Sequence, residues 1–97
     1  MYLSLKMDKK RNKLEVIYDI LSVINGKNGK IKPTHILYKS NLSHSMMEQY
    51  IDELIQKRFV REIKLEKSKT YEITDKGKQY LSQYTLIRNF TESFGLE

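Results

Sequence analysis

A chain of 97 residues, 39% hydrophobic and 31% charged, makes one globular domain and is not of disordered composition. It has no cysteine, which excludes a disulfide framework, a thiolate zinc site and a cysteine nucleophile, and no run is apolar enough for a signal peptide or a membrane span. Lys and Arg number 18 against 12 Asp and Glu, a net charge of +6 that suits a polyanion, of which nucleic acid is the commonest.

In chain order, residues 1–10 read as a basic, flexible arm carrying Lys6, Lys9 and Lys10, with Arg11 and Lys13 just after it. Leu14, Ile17, Tyr18, Leu21 and Ile24 then recur at helical spacing, and Val16, Ile20 and Val23 widen the apolar arc, leaving Glu15, Asp19 and Ser22 for the other face. So wide an arc predicts a helix central to the fold or shared with a partner chain. Asn25–Gly26 stops it, and residues 26–29 are a loop. Pro33 opens a short second helix, where its fixed φ and missing N–H cost nothing; Ile36 and Leu37 face inward, and it ends near Ser40–Asn41.

After a break at residues 41–43, a third helix runs to Lys57 with Met47, Ile51, Leu54 and Ile55 in one stripe and Tyr50 at its edge. Ser43 suits its N-cap, but Ser45 with Glu48 also fits a capping box, so two starts stay open. The runs Phe59–Leu65 and Thr70–Ile73, on either side of Glu66-Lys67-Ser68-Lys69, predict a hairpin. Phe59, Ile63 and Leu65 alternate on its first strand, Tyr71 and Ile73 on its second. Thr74 caps a last helix, with Asp75 in its first turn, that reaches Phe94.

This order predicts a mainly α fold with a small β-hairpin wing: a winged helix-turn-helix over residues 11–73 and a long C-terminal helix over residues 74–97. In such a fold the third helix can enter a major groove about 12 Å wide while the hairpin touches the neighbouring backbone. The block Ile36-Leu37-Tyr38-Lys39-Ser40-Asn41-Leu42-Ser43, then Tyr50-Ile51 and Leu54, then Thr74-Asp75-Lys76-Gly77-Lys78-Gln79-Tyr80-Leu81 resembles the archaeal ArnR-like winged helix-turn-helix family over residues 11–94. That family is related to small archaeal chromatin-associated winged-helix proteins. The resemblance implies DNA binding, in transcriptional regulation or chromatin organisation, without catalysis, and pairing of two chains by an antiparallel coiled coil of their last helices. Two positions depart from the pattern. His44 stands where the family often has tyrosine, and Lys57-Arg58-Phe59 replaces a Lys-Gly-Leu-like helix exit, although arginine takes a left-handed cap less readily than glycine.

Met47, Ile51 and Leu54 facing inward leave Ser45, Gln49 and Asp52 on the opposite face of the third helix, with Ser43 and His44 at its start. Gln bonds adenine edges bidentately, and Ser and His bond bases or phosphates. Glu48, Asp52 and Glu53 put three negative charges on the same helix, so either its first turns read bases or it only packs over the backbone. Phosphate contacts are expected from Lys32, Thr34, His35 and Lys39 around the second helix and from Lys67, Ser68 and Lys69 at the wing tip. Residues 1–40 hold nine Lys and Arg against three Asp and Glu, whereas residues 41–97 hold nine of each, so the basic excess lies at the front, where Lys9, Lys10, Arg11 and Lys13 can act as an arm.

His35 and His44, nine residues apart, make no metal pair, and Met46 and Met47 read as core and groove-edge packing. No glycine-rich phosphate loop, nucleophile motif or paired-carboxylate site is present, so no cofactor, metal, small-molecule ligand or catalysis is expected. On the last helix Tyr80, Tyr84, Ile87 and Phe94 step like a heptad seam with Thr91 in the missing place, flanked by Leu81 and Phe90. At about 1.5 Å per residue it spans about 31 Å and overhangs the domain. This predicts a homodimer through Tyr80, Tyr84, Ile87, Phe90 and Phe94; the alternative is that the end folds back on the first helix. The function expected is a dimeric DNA-binding protein, a transcription regulator or chromatin-associated factor of the cytoplasm and nucleoid. A protein-binding adaptor in transcription machinery is the alternative, and structured RNA could use the same charges.

Overall fold

The computed structural model describes residues 11–27 and 30–95, so the expected arm over residues 1–10 and the loop positions Asn28 and Gly29 lie outside the described residues. Four helices and one hairpin follow in the order α1 (Lys13–Asn25), α2 (Pro33–Ser40), α3 (His44–Gln56), β1 (Val60–Lys64), β2 (Lys69–Ile73) and α4 (Asp75–Ser93). The strands pair antiparallel from Val60 opposite Ile73 to Lys64 opposite Lys69. The Tyr71 amide donates to the Ile31 carbonyl at 3.1 Å, which ties the α1–α2 connection to the root of this wing. The fold is a winged helix-turn-helix with a long last helix, as the element order implies.

Side chains near each boundary explain where the helices start. Asn12 and Glu15 form a reciprocal capping box at α1, a role that the place of Glu15 on a polar face does not reveal. Pro33 opens α2. Ser43 accepts from the Met46 amide at 3.2 Å and so decides between the two possible starts of α3. Thr74 accepts from the Gly77 amide at 3.1 Å and begins α4. Its hydroxyl lies 2.7 Å from the Arg58 carbonyl as well, which fastens α4 to the end of α3.

The exit from α3 is made with an arginine in a glycine-type conformation. Arg58 has φ +67°. The flanking bonds, Phe59 amide to Leu54 carbonyl at 2.8 Å and Arg58 amide to Ile55 carbonyl at 3.1 Å, are those that close a helix through a left-handed residue. A left-handed residue with a Cβ carries about 1–2 kcal/mol of strain, part of which glycine would return as extra freedom of the unfolded chain. Arg58→Gly is therefore expected to stabilise the fold by about 0.5–1 kcal/mol, seen as a thermal midpoint higher by a few degrees. An unchanged or lower midpoint would show that the arginine side chain contributes more than its backbone costs.

The core joins Ile17, Ile20, Leu21 and Ile24 of α1, Ile31, Ile36 of α2, Met47, Ile51 and Leu54 of α3, and Val60, Tyr71 and Ile73 of the wing. Three expectations are corrected. Leu14, expected inward, is 55% exposed, because at about 100° per residue it lies a quarter-turn from the centre of the buried arc. On β1 the inward residue is Val60, not the Phe59–Ile63–Leu65 set. Phe59 precedes the strand and is half-buried, and Leu65 follows it and is exposed, its amide closing the wing turn on the Ser68 carbonyl at 2.8 Å. Of the five residues placed in one seam on α4, Tyr80 and Tyr84 face α1 instead. The Tyr80 hydroxyl donates to the Leu14 carbonyl at 2.7 Å, and its ring meets Phe59 edge-on. Burial pushes this phenol up to about 12, with Tyr84 adding to the shift. Tyr84 stacks on Tyr18 with ring centroids 4.7 Å apart, and the Arg88 guanidinium lies over the Tyr18 ring. Leu86, Ile87, Phe90 and Phe94 remain 61–65% exposed, with Ile87 bordering a recess that Asn12 and Glu15 at the start of α1 also line.

The seat of α4 on the wing depends on Gly77. A Cβ there would lie 2.5 Å from the Phe59 carbonyl oxygen and 2.6 Å from a side-chain carbon of Ile73. Only glycine lets the helix backbone come this close.

Candidate nucleic-acid interface

All eleven residues expected to touch DNA are exposed: Lys32, Thr34, His35 and Lys39 on and before α2, Ser43, His44, Ser45 and Gln49 at the start of α3, and Lys67, Ser68 and Lys69 at the wing. Two of them, His44 and Lys69, border a recess of about 310 Å³ that Pro33 at the start of α2 and Glu48 and Asp52 of α3 also line. The helix pair makes this arrangement. Ile36 and Ser40 turn α2 inward, so Thr34, His35 and Lys39 share its outer face, while Met47, Ile51 and Leu54 do the same for α3.

Two groups escaped the sequence reading. Tyr38 stands 78% exposed on the outer face of α2, between His35 and Lys39. Its place in the Tyr38-Lys39 block was the available signal. Lys64 lies directly opposite Lys69, beside the turn that closes the wing. Like charges across a strand pair are unfavourable, and the diagonal contact of Lys69 with Glu62 at 3.3 Å helps to offset this one. Because β2 begins at Lys69, a residue read as part of the tip, the pair was not visible beforehand.

Two other cations expected to serve an arm form ion pairs at the surface of the domain. Arg11 pairs with Asp19 and donates to the Ser40 carbonyl at 2.7 Å, which joins α1 to the end of α2. Lys13 pairs with Glu53 at 2.9 Å, and Lys57 reaches the same carboxylate at 2.9 Å. The other residues expected in the arm, Lys9 and Lys10, lie outside the described residues.

The same pairs change the electrostatics of α3. Hydrogen bonds from Lys57 and Lys13 hold the Glu53 carboxyl below the usual carboxylate range. Glu48 lies 3.8 Å from His44. Of the three carboxylates only Glu53 has a lysine partner among the described residues, and Asp52 has neither an ion pair nor a hydrogen bond there. The outer ridge of α3 is thus Ser45, Gln49 and Asp52, with Met46 44% exposed at its edge and Met47 in the core. Among the described residues no group of His, Asp or Glu is arranged to hold a metal ion, and no helix is long and apolar enough to cross a membrane.

A family model described as winged helix-turn-helix matches residues 10–92. The chain belongs to the winged helix-turn-helix family. This is a family of DNA-binding folds and not of enzymes. An uncharacterized protein of Methanocaldococcus jannaschii, MJ0287, is 38% identical over 79 residues, which cover 80% of this chain and 75% of that protein. Among solved structures, Sso10a-2, a DNA-binding protein from Sulfolobus solfataricus, is similar with a TM-score of 0.75 and 24% identity, over 87% of this chain and 85% of that one. The transcriptional regulator BldR, also from Sulfolobus solfataricus, is similar with a TM-score of 0.66 and 22% identity, over 82% of this chain and 59% of that one. The archaeal relatives agree with the resemblance read from the Tyr38–Ser43 and Thr74–Leu81 blocks, and at these identities the solved structures speak for the winged-helix fold.

Proposed function

We propose that this winged helix-turn-helix chain is a dimeric DNA-binding protein, a transcription regulator or chromatin-associated factor. One observation carries the reading. The start of α2, the first turns of α3 and the wing each carry exposed donors and cations, with His44 and Lys69 on the rim of one recess, while Glu53 of α3 is neutralised by two lysines. The first turns of α3 enter the major groove with Ser45 and Gln49 towards base edges and His44 beside them. Lys32, Thr34, His35 and Lys39 hold phosphates on one side, and Lys64, Lys67, Ser68 and Lys69 hold them at the wing. Sso10a-2, similar over most of its length, is described as DNA-binding, which supports the same assignment here.

The second copy docks through α4. Ile87, Phe90 and Phe94 step by three and four with Gln83 one turn before them, and Leu86 borders the strip. The Phe90 and Phe94 rings lie 4.9 Å apart. Four large apolar side chains on one exposed flank are more than a small monomer leaves in water without use. Two copies paired there present two recognition helices and two wings.

The direct test is Lys32→Glu with Lys39→Glu, two surface changes that leave the core untouched. Duplex affinity is expected to fall at least tenfold at low salt, with the folded state unchanged by circular dichroism. Unchanged affinity would remove the α2 contacts from the reading. Absence of duplex binding by the parent chain would replace it with a protein-binding adaptor.

A further inference from the structure

We infer that Asp52 makes this surface selective. It disfavours indiscriminate duplex binding and favours sites that present a cytosine or adenine amino group beneath the third turn of α3. The inference rests on the DNA-binding reading above.

The three carboxylates of α3 have different surroundings. Glu53 is held by Lys13 and Lys57 at 2.9 Å each and faces α1, away from the ridge. Glu48 has His44 beside it. Asp52 is exposed, borders the recess between α3 and the wing, and has neither ion pair nor hydrogen bond among the described residues. Ser45, Gln49 and Asp52 follow one another at i, i+4 and i+7, about 10 Å along the helix axis, which matches roughly three base-pair steps of 3.4 Å.

In a groove walled by phosphates an uncompensated carboxylate is repelled, so Asp52 weakens contact with every sequence. It also accepts hydrogen bonds without donating any. The donors on major-groove base edges are the N4 amino group of cytosine and the N6 amino group of adenine, whereas guanine O6 and N7 and thymine O4 are acceptors. Asp52 therefore offsets its repulsion where cytosine or adenine lies beneath it, and adds an acceptor-to-acceptor conflict elsewhere. Gln49, one turn earlier, suits adenine at the neighbouring step. A general DNA coat would have no use for a free carboxylate at the end of this ridge.

The test compares the parent chain with Asp52→Asn and Asp52→Ala by enrichment of bound duplexes from a randomised library, then by anisotropy on the enriched and a random duplex. The parent is expected to enrich cytosine or adenine at one position of the site. Asp52→Asn should bind the random duplex about five- to tenfold more tightly and move that position towards adenine. Asp52→Ala should tighten random binding similarly and lose the preference there. Parent and variants with the same base preference and the same random-duplex affinity would overturn the inference. No duplex binding by any of the three, with folding intact by circular dichroism, would overturn both it and the DNA-binding reading.

Discussion

Gly77→Ala is expected to lower the thermal midpoint by about 10–20 °C, the largest loss of stability from a single methyl group in this chain. The added carbon would sit 2.5 Å from the Phe59 carbonyl oxygen and 2.6 Å from Ile73. The first neighbour is backbone, so no rotamer change can clear it. That carbonyl also accepts from the Thr74 amide at 3.1 Å and lies 3.0 Å from the Thr74 hydroxyl, so moving it loosens the α4 cap as well. Overpacking costs about 1–3 kcal/mol and sometimes more, and the better helix propensity of alanine returns about 1 kcal/mol. With backbone as the obstacle the net loss should be about 2–3 kcal/mol. A melt followed by circular dichroism at 222 nm decides it. A midpoint equal to or above the parent's would mean that α4 can lift from the wing root at little cost.

The second large effect concerns assembly. Ile87→Asp combined with Phe90→Asp is expected to convert a dimer into a monomer by sedimentation at micromolar concentration, with a normal thermal melt for the isolated domain. Both side chains are more than 60% exposed in the single chain, so the substitutions create no cavity and bury no charge within it. In a paired α4 they would place four carboxylates in one apolar seam, a desolvation that such an interface cannot offset. Two linked DNA-reading surfaces bind with a high effective concentration for the second contact, so duplex affinity should fall on the order of a hundredfold with the dimer. A parent that sediments as a monomer, or a variant of unchanged mass, would contradict the pairing.

The order of elements was legible because local chemistry marks it. Pro33 at a helix start, Ser43 and Thr74 as caps, the Asn25–Gly26 stop and the polar stretch between two strand runs each act within a few residues. The exposed faces of α2 and α3 followed from helical periodicity alone. What misled the reading were partners distant in sequence. Apolar spacing shows that Tyr80 and Tyr84 need cover, but not that Tyr18 and the Leu14 carbonyl supply it. Charge counting placed Arg11 and Lys13 in a free arm, whereas Asp19, Ser40 and Glu53 bind them across separations of 8, 29 and 40 residues. The same long-range pair offsets Glu53, one of the three carboxylates of α3. Strand alternation failed on β1 because Phe59 belongs to the turn out of α3. The departure at Arg58 was visible, and the structure accommodates it by keeping the left-handed turn and accepting the strain.

The central claim is tested most directly by fluorescence anisotropy of a random duplex of about 30 base pairs at about 50 and 200 mM salt, with Lys32→Glu, Lys39→Glu alongside the parent chain. Eight residues are proposed to reach phosphates in each copy. Five of them are lysines, ten in the dimer, so the parent's affinity should fall on the order of a hundred-thousandfold across that range, and the double variant, which removes two lysines from each copy, should lose roughly three to four units of logarithmic salt slope. Binding that is absent, or that is equally strong at both salt concentrations, would contradict the account.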